Sequence, residues 1–323
     1  MRKIFFCQIA VIFLFVLLVG CSTVPLKPVS QPDKPIQDVP VPVVEEIKTP
    51  FKLEPDKNKE AQDWYEKGFW LEKGGNNQEA LSAFDKAIEL DPQMHMAYIN
   101  KCLILLSAQK YDEAIEVMNK TLELTPDNIN VWYLKASILR QLGKNEEALK
   151  MFDKVTNLDP KNSYMWYQKG YLLRIVGKLE ESITVYDKSI EFKPQYVDAF
   201  CGKGFSLRQL GRYDEALKAY GKAIEINPEY AEPRFGNGLV LKDMGKYNEA
   251  LKAFDKTLEL NPKYDFVWYE KACCYALMTD KANAFVFLRK AIGLYPQCKE
   301  KAINDNAFKT LWEDDEFKKI TKQ

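Results

Sequence analysis

Seven prolines recur at one constant interval over most of the chain. They are Pro92, Pro126, Pro160, Pro194, Pro228, Pro262 and Pro296, and the numbers of successive members differ by 34 without a slip. Seven equal units therefore fill residues 61–298. A fixed period of this length is typical of arrays in which each unit packs only against its neighbours. Because a helix usually ends at or before the residue preceding a proline, each proline predicts the end of a unit.

Other positions of the unit are restricted by residue size. Relative to each proline, Ala or Ser lies at −12, Gly, Ala or Cys lies at −24, and an aromatic lies at −28, except at Arg234. Glycine occupies the middle of five units, with Gln109 and Thr279 in the other two. Because glycine readily adopts the left-handed conformation that ends a helix, each unit reads as two helices joined by a turn. We expect a looser contact at Arg234, where the aromatic ring is missing.

This pattern closely resembles the tetratricopeptide repeat. The resemblance covers repeats at 61–94, 95–128, 129–162, 163–196, 197–230, 231–264 and 265–298. It implies an all-α fold, a right-handed α-solenoid of seven helix-turn-helix repeats spanning residues 58–298. Residues 299–323 have an apolar side and a charged side, and we expect them to form a C-terminal helical cap that keeps the array soluble. The apolar side consists of Ala302, Phe308, Leu311, Trp312, Phe317 and Ile320.

Residues 1–20 have the pattern of an export signal. Arg2 and Lys3 precede an apolar run that ends at Gly20, and Leu18-Val19-Gly20-Cys21 resembles a bacterial lipobox. The resemblance implies removal of residues 1–20 and lipid attachment to Cys21. An uncleaved signal anchor is the alternative. Both interpretations place the rest of the chain outside the cytoplasmic membrane. In lipoproteins of this kind, an Asp directly after the lipidated Cys favours retention in the inner membrane. This chain has Ser22 there, which favours the outer membrane, facing the periplasm, if the host has one.

Residues 21–57 contain half of the 16 prolines of the chain. Proline at this density disfavours helix and sheet and favours an extended polyproline II conformation. The segment is therefore predicted to be a linker between the lipid anchor and the folded array. Recognition by a polyproline-binding domain is the alternative.

Composition argues against several classes of function. The 46 basic and 46 acidic residues balance, whereas a nucleic-acid binder needs a basic excess. A single histidine, His95, disfavours zinc sites and histidine-based catalysis, and no catalytic or phosphate-binding motif is present. We therefore expect neither an enzyme nor a cofactor or metal site. The five cysteines of the folded part are expected to be free thiols, with a Cys274–Cys298 disulfide as a possible exception.

The resemblance also indicates a binding surface. In this family the first helix of each repeat lines a concave groove through its positions 2, 5, 9 and 12. Position 12 is basic in four consecutive repeats, and aromatic residues lie beside it at positions 5 and 9. The cations are Arg140, Arg174, Arg208 and Lys242, and the aromatics are Tyr133, Tyr167, Tyr171, Phe205 and Phe235. This set suits an extended, acidic protein segment. Alternatively, the cations only complement the helix C-termini.

The predicted function is a membrane-anchored, non-catalytic scaffold or assembly factor of the cell envelope that binds a protein partner in this groove. Two alternatives remain open, recognition of a cell-wall or surface polysaccharide and self-assembly of the array. No repeat pairs Lys at position 5 with Asn at position 9, the pair with which some family members bind the C-terminal carboxylate of chaperones.

Overall fold

The computed structural model describes residues 59–322 of the chain. These residues form 16 α-helices, one 3-10 helix and no strand. The helices are α1 (Lys59–Lys73), α2 (Asn77–Leu90), α3 (His95–Ser107), α4 (Tyr111–Leu124), α5 (Ile129–Gln141), α6 (Asn145–Leu158), α7 (Ser163–Ile175), α8 (Leu179–Phe192), α9 (Val197–Gln209), α10 (Tyr213–Ile226), α11 (Ala231–Asp243), α12 (Tyr247–Leu260), α13 (Phe266–Leu277), α14 (Lys281–Leu294), α15 (Cys298–Asn304) and α16 (Asp315–Thr321). The 3-10 helix is Asn306–Leu311.

The predicted all-α solenoid is confirmed. Each repeat contains a first helix of 12 to 15 residues and a second helix of 14 residues. None of the helices in the described range is long and apolar enough to cross a membrane. The predicted signal (1–20), the lipid site Cys21 and the linker (21–57) lie outside the described residues.

The turn between the two helices depends on a left-handed residue. Gly143 has φ 74° and donates to the carbonyl of Arg140, while Lys144 donates to that of Leu139. These bonds satisfy carbonyl groups that the end of α5 leaves open. Gln109 and Thr279 hold the same place with φ 58° and 61°. Thr279 is the more strained of the two, because a β-branched side chain rarely adopts positive φ.

A ring of the second helix packs against a small residue of the first helix within the repeat. A Cβ atom on Gly170 would lie 2.9 Å from the Tyr186 ring, so only glycine fits there. Tyr186 also reaches the next repeat, where a Cβ atom on Gly202 would lie 2.4 Å from its ring. The predicted role of the small residues, close approach of the paired helices, agrees with this geometry.

An aromatic near the start of the first helix ties the second, third and fourth repeats to the previous repeat. The indole nitrogens of Trp132 and Trp166 donate to the carbonyls of Pro126 and Pro160 at 2.7 and 2.8 Å. Arg234 donates to the equivalent carbonyl of Pro228 at 3.1 Å. The looser contact that we expect at Arg234 is not seen at this bond, because a guanidinium is also a planar N–H donor.

The C-terminal residues cover the apolar end of the last repeat. Phe308, Leu311 and Phe317 are buried in one cluster with Tyr269 and Leu288, which belong to repeat seven. Trp312 and Ile320 pack against the same cluster. The apolar side expected for this segment is therefore the side that faces the array, and it is built from two short helices and a 3-10 helix.

The five cysteines between residues 59 and 322 are buried free thiols, so Cys274 and Cys298 are not bonded to each other. Burial raises the pKa of the Cys102 thiol, and likewise that of Cys274, to about 12. These thiols therefore stay protonated and act as small apolar residues.

Replacing Thr279 by glycine is expected to stabilise the array. The left-handed conformation costs an L-residue roughly 1–2 kcal/mol, and Thr279→Gly removes that strain. The urea midpoint should rise, as followed by circular dichroism. Thr184→Gly is the matched control, because Thr184 is exposed within α8 and glycine there costs about 1 kcal/mol. Equal losses of stability in the two variants would contradict the strain at residue 279.

Candidate binding groove

The nine residues predicted to bind a partner lie on four consecutive first helices, α5, α7, α9 and α11. The structure separates them into residues that support the surface and residues that form it. Tyr133 and Phe235 are only 1% and 6% exposed. The Tyr133 hydroxyl pairs with that of Tyr164 at 3.1 Å, and the Phe235 ring lies 5.0 Å from Tyr264. Both therefore support the groove from beneath.

Two arginines and two rings alternate across the middle repeats. The guanidinium of Arg140 lies 5.5 Å from the Tyr171 ring, and that of Arg174 lies 4.8 Å from the same ring. Arg174 also lies 4.4 Å from the Phe205 ring. Each contact is within the range of a cation–π interaction, which orients the guanidinium while its edges stay polar. We call these four residues the arginine–aromatic stack.

Arg140, the first residue of this stack, is hydrogen-bonded only to a neutral group. Its Nη1 donates to the amide oxygen of Gln168 at 3.2 Å. Among residues 59–322, no carboxylate lies within ion-pair distance of Arg140, and neither its Nε nor the nearby Ser137 hydroxyl has a hydrogen-bond partner, although both atoms are buried. The positive charge of Arg140 is therefore not balanced within the repeat array.

Arg208 and Lys242 are each paired with a carboxylate. Nε of Arg208 donates to Asp243 at 2.7 Å, and Lys242 donates to Glu270, which is 6% exposed. Burial would raise the pKa of Glu270, but Lys242 and Lys301 outweigh it and hold that pKa below its usual value. Burial would likewise lower the pKa of Lys242, but Glu270 outweighs it and raises that pKa. Both groups of the pair are charged at neutral pH.

Sequence reasoning missed these carboxylates, although a signal was present. Position 12 of one repeat contacts position 6 of the next, 28 residues later, in the pairs Arg140–Gln168 and Lys242–Glu270. For Arg208, position 6 of the next repeat is Gly236, which has no side chain to accept a hydrogen bond. Arg208 pairs with Asp243 of that repeat instead. All four cations also lie in the last turn of their helices, so they complement the helix C-termini as well.

Tyrosines that the sequence reasoning did not single out border the groove. They are half-buried and come from positions 2 and 34 of the central repeats, namely Tyr164, Tyr196, Tyr230 and Tyr264. The Tyr196 ring lies 5.2 Å from Tyr167, which is also half-buried, and the Tyr230 hydroxyl donates to Glu232 at 2.7 Å. Burial raises the pKa of Tyr196 and that of Tyr230, so both remain neutral donors. Tyrosine as the last residue of three consecutive repeats was the available signal.

Family models match most of the repeat array. Models described as tetratricopeptide repeat match residues 72–138, 105–170, 163–196, 231–264 and 267–298, and a model described as TPR repeat matches residues 204–245. Together they span residues 72–298 apart from short gaps. No curated protein matches the sequence.

Solved structures share the fold at low sequence identity. A tetratricopeptide repeat protein from Parabacteroides merdae is 19% identical with a TM-score of 0.59, covering 82% of this chain and 100% of its own. PilF of Pseudomonas aeruginosa is 16% identical with a TM-score of 0.53, covering 67% and 95%. YrrB, a TPR protein with an unusual peptide-binding site, is 24% identical with a TM-score of 0.50, covering 58% and 97%.

Removing one member of the buried ion pair is expected to destabilise the array. Lys242→Met leaves the Glu270 carboxylate buried with the more distant Lys301, at 3.7 Å, as its remaining ion-pair partner, and should cost about 3 kcal/mol. The double variant Lys242→Met/Glu270→Met removes both charges and should recover most of that loss. Urea unfolding at pH 7 measures both effects, and a single variant as stable as the wild type would contradict the pairing.

The stabilisation by this pair should depend on pH in a defined direction. The folded pKa of Glu270 is depressed, so its contribution is present above 4.5 and is lost as the pH falls through the folded value. The folded pKa of Lys242 is raised, so its contribution is complete below 10.5 and is lost only at higher pH. The stability difference between the wild type and the double variant should therefore change below pH 4.5 and stay constant from pH 6 to 9.

Proposed function

Because the chain belongs to the tetratricopeptide repeat family, we propose that it is a non-catalytic scaffold that binds an extended segment of a protein partner in its groove. The fold supports a role in protein–protein interaction. YrrB, a protein of the same fold, has a peptide-binding site, and the proposal extends that mode of action to this chain by analogy of fold.

The arginine–aromatic stack is the observation that carries the proposal. Arg140 and Arg174 are held beside the rings of Tyr171 and Phe205, so less side-chain freedom is lost on binding. A partner carboxylate placed at Arg140 balances a charge that no carboxylate of residues 59–322 pairs with. Apolar side chains of the same segment then lie against the half-buried rings. The partner segment is therefore acidic with interspersed apolar residues.

The proposal also narrows the set of cations that are predicted to bind the partner. Arg208 and Lys242 already have carboxylate partners from their own array, so they contribute little net attraction for an acidic segment. A partner carboxylate is expected at Arg140, in the third repeat, beside Tyr171. The adjacent tyrosines, from Tyr167 to Tyr264, extend the surface toward the fifth and sixth repeats.

Neutralising the stack is expected to weaken binding of acidic peptides. Two sets of labelled ten-residue peptides serve as probes, one alternating Glu with Leu and the other alternating Lys with Leu. The purified chain should bind the acidic set more tightly, and Arg140→Gln/Arg174→Gln should lower its affinity about tenfold or more, since a charge-assisted contact is worth about 1.5–3 kcal/mol. Fluorescence anisotropy at two salt concentrations measures the affinities.

The matched control changes the same net charge away from the groove. Lys150→Gln/Lys218→Gln alters exposed lysines on the second helices α6 and α10 and should leave the affinity unchanged. Equal losses in the two double variants would mean that net charge, and not the stack, attracts the peptides. Equal binding of the two peptide sets would mean that the cations do not attract the partner and only complement the helix C-termini.

We further propose that the scaffold is held in the cell envelope by a lipid on Cys21, either on the outer side of the cytoplasmic membrane or in the outer membrane, facing the periplasm. The Leu18-Val19-Gly20-Cys21 motif supports this placement. Cys21→Ser should abolish both the incorporation of labelled palmitate and the removal of residues 1–20 that the wild type undergoes. Cys7→Ser, within the signal, is the control that should retain both, and a labelled Cys21→Ser protein would exclude Cys21 as the attachment site.

A polysaccharide ligand is the second candidate, and the tyrosines along the groove favour it. Aromatic rings such as Tyr167 and Tyr196 present apolar faces of the kind on which sugar rings stack. Uronic-acid oligomers belong in the same anisotropy experiment as competitors. Displacement of the acidic peptides by these oligomers at comparable concentration would favour the polysaccharide.

A further inference from the structure

Trp70 is the most exposed large apolar side chain of residues 59–322, at 69% of its full surface. It occupies position 10 of the first repeat, and the same position is buried in each of the other six repeats. The buried residues are Ile104, Ile138, Leu172, Ser206, Val240 and Cys274. Ile104 packs with Phe84 and Ala87 of the repeat before it. Position 10 therefore lies on the face that a first helix places against the preceding repeat, and α1 has no preceding repeat.

Two exposed residues of opposite charge flank Trp70 on this face of α1. Glu66 precedes Trp70 by four residues and Lys73 follows it by three, so all three lie along one side of the helix. Glu66 accepts a hydrogen bond from Gln62 at 2.9 Å, and Nζ of Lys73 lies 5.3 Å from the Phe69 ring. The stripe consists of an acid, an indole and a base, and it is complementary to itself when its direction is reversed.

We propose that two copies of this chain pair through this stripe, with the two α1 helices antiparallel about a two-fold axis beside Trp70. The two indoles then pack against each other, and Glu66 of each copy opposes Lys73 of the other. Such an interface uses the same surface of both copies, as two-fold symmetry requires. A parallel arrangement would oppose like charges. A tryptophan at the centre with charged residues at the rim is the usual composition of a protein interface.

The remaining residues of the stripe are compatible with this register. Lys67 lies on the opposite edge of the stripe from Lys73, and its Nζ lies 4.4 Å from the ring of Trp64 on the same helix. In the antiparallel pair it opposes Gly74, which has no side chain. Lys67 therefore brings no like charge against Lys73 and meets no steric obstacle.

The other end of the array argues against the alternative of head-to-tail stacking. Such stacking needs an open apolar face after repeat seven. That face is closed by the cap, whose Phe308 and Phe317 are fully buried in one cluster with Tyr269. Pairing therefore joins the N-terminal ends of two arrays and stops at a dimer, since a two-fold interface leaves no further surface of the same kind.

Pairing through Trp70 leaves the binding groove of both copies free. Position 10 is not one of the groove-lining positions 2, 5, 9 and 12, and the arginine–aromatic stack lies in the third to fifth repeats, away from α1. If the proposed function holds, the dimer presents two grooves, and a partner with two acidic segments gains affinity from binding both. The dimer itself does not depend on what the groove binds.

Sedimentation velocity of the full chain in a density-matched detergent tests the pairing. The purified wild type should show a monomer–dimer equilibrium as its concentration is varied. Trp70→Ser should raise the dissociation constant about tenfold or more, because a central tryptophan carries a large share of the binding energy of an interface. A wild type that is monomeric at all concentrations would overturn the proposal.

Exchange of the two charges tests the antiparallel register. Glu66→Lys and Lys73→Glu should each raise the dissociation constant about tenfold, because each replaces two ion pairs by two like-charge contacts. An equimolar mixture of the two variants should dimerise about as well as the wild type, because each introduced charge then meets its opposite in the other copy. The double variant Glu66→Lys/Lys73→Glu should also dimerise.

Glu225→Lys and Val286→Ser are the matched controls. Glu225 is exposed on α10, and Val286 is 57% exposed on α14, so neither substitution should change the dissociation constant. A dimer that is insensitive to Trp70→Ser, or single charge variants that their mixture does not rescue, would overturn the proposed interface. The binding of acidic peptides to Arg140 and Arg174 is measured separately, so loss of the dimer and loss of peptide binding are distinguishable.

Discussion

The close packing of a ring on a small residue within each repeat is the contact on which the array depends. The approach of Tyr186 to Gly170 leaves no room for a Cβ atom, so the two helices of the pair have one separation. Where the ring is tyrosine, it also excludes a side chain at the next repeat, at Gly202 and at Gly236. One residue thus fixes the distance within a repeat and the distance to the next. Where the ring is Phe152 or Phe254, the next repeat has Gln168 or Glu270 at that place.

The groove follows from this packing, because the same residue of each repeat returns to the same place on the surface. Contacts between repeats therefore occur at constant spacings. Lys101 and Lys203 each pair with an aspartate 16 residues earlier in the chain. At the equivalent positions of the sixth and fifth repeats, Asn237 replaces the lysine and Gly221 replaces the aspartate, so both members of the pair are absent together. These exposed pairs contribute little to stability, but they report which positions of adjacent repeats meet. The 28-residue spacing of Lys242 and Glu270 likewise shows which positions of adjacent repeats meet in the groove.

The sequence alone predicts the helices, the turns and the stacking, because each of them repeats seven times and a periodic pattern averages out local exceptions. The candidate site was harder to predict. Tyr133 and Phe235 share a position with Tyr167, yet they are buried and Tyr167 is not. The Tyr133 ring packs against Tyr164 of the next repeat, and the Phe235 ring packs against Tyr264, the last residue of its own repeat. The pairing of Arg208 and Lys242 depends likewise on residues in the next repeat, and a single-repeat consensus contains no such information.

The charges in the groove and the two ends of the array are governed by one physical condition, whether a neighbouring repeat is present. Inside the array, a cation at position 12 finds a carboxylate, an amide or a ring in the next repeat, so the cost of partial burial is offset by a neighbour. At the ends no neighbour exists. The C-terminal end is covered by a separate segment with its own aromatic residues, Phe308 and Phe317. The N-terminal end relies on charged residues such as Asp63, which water solvates, and that solution fails only at Trp70.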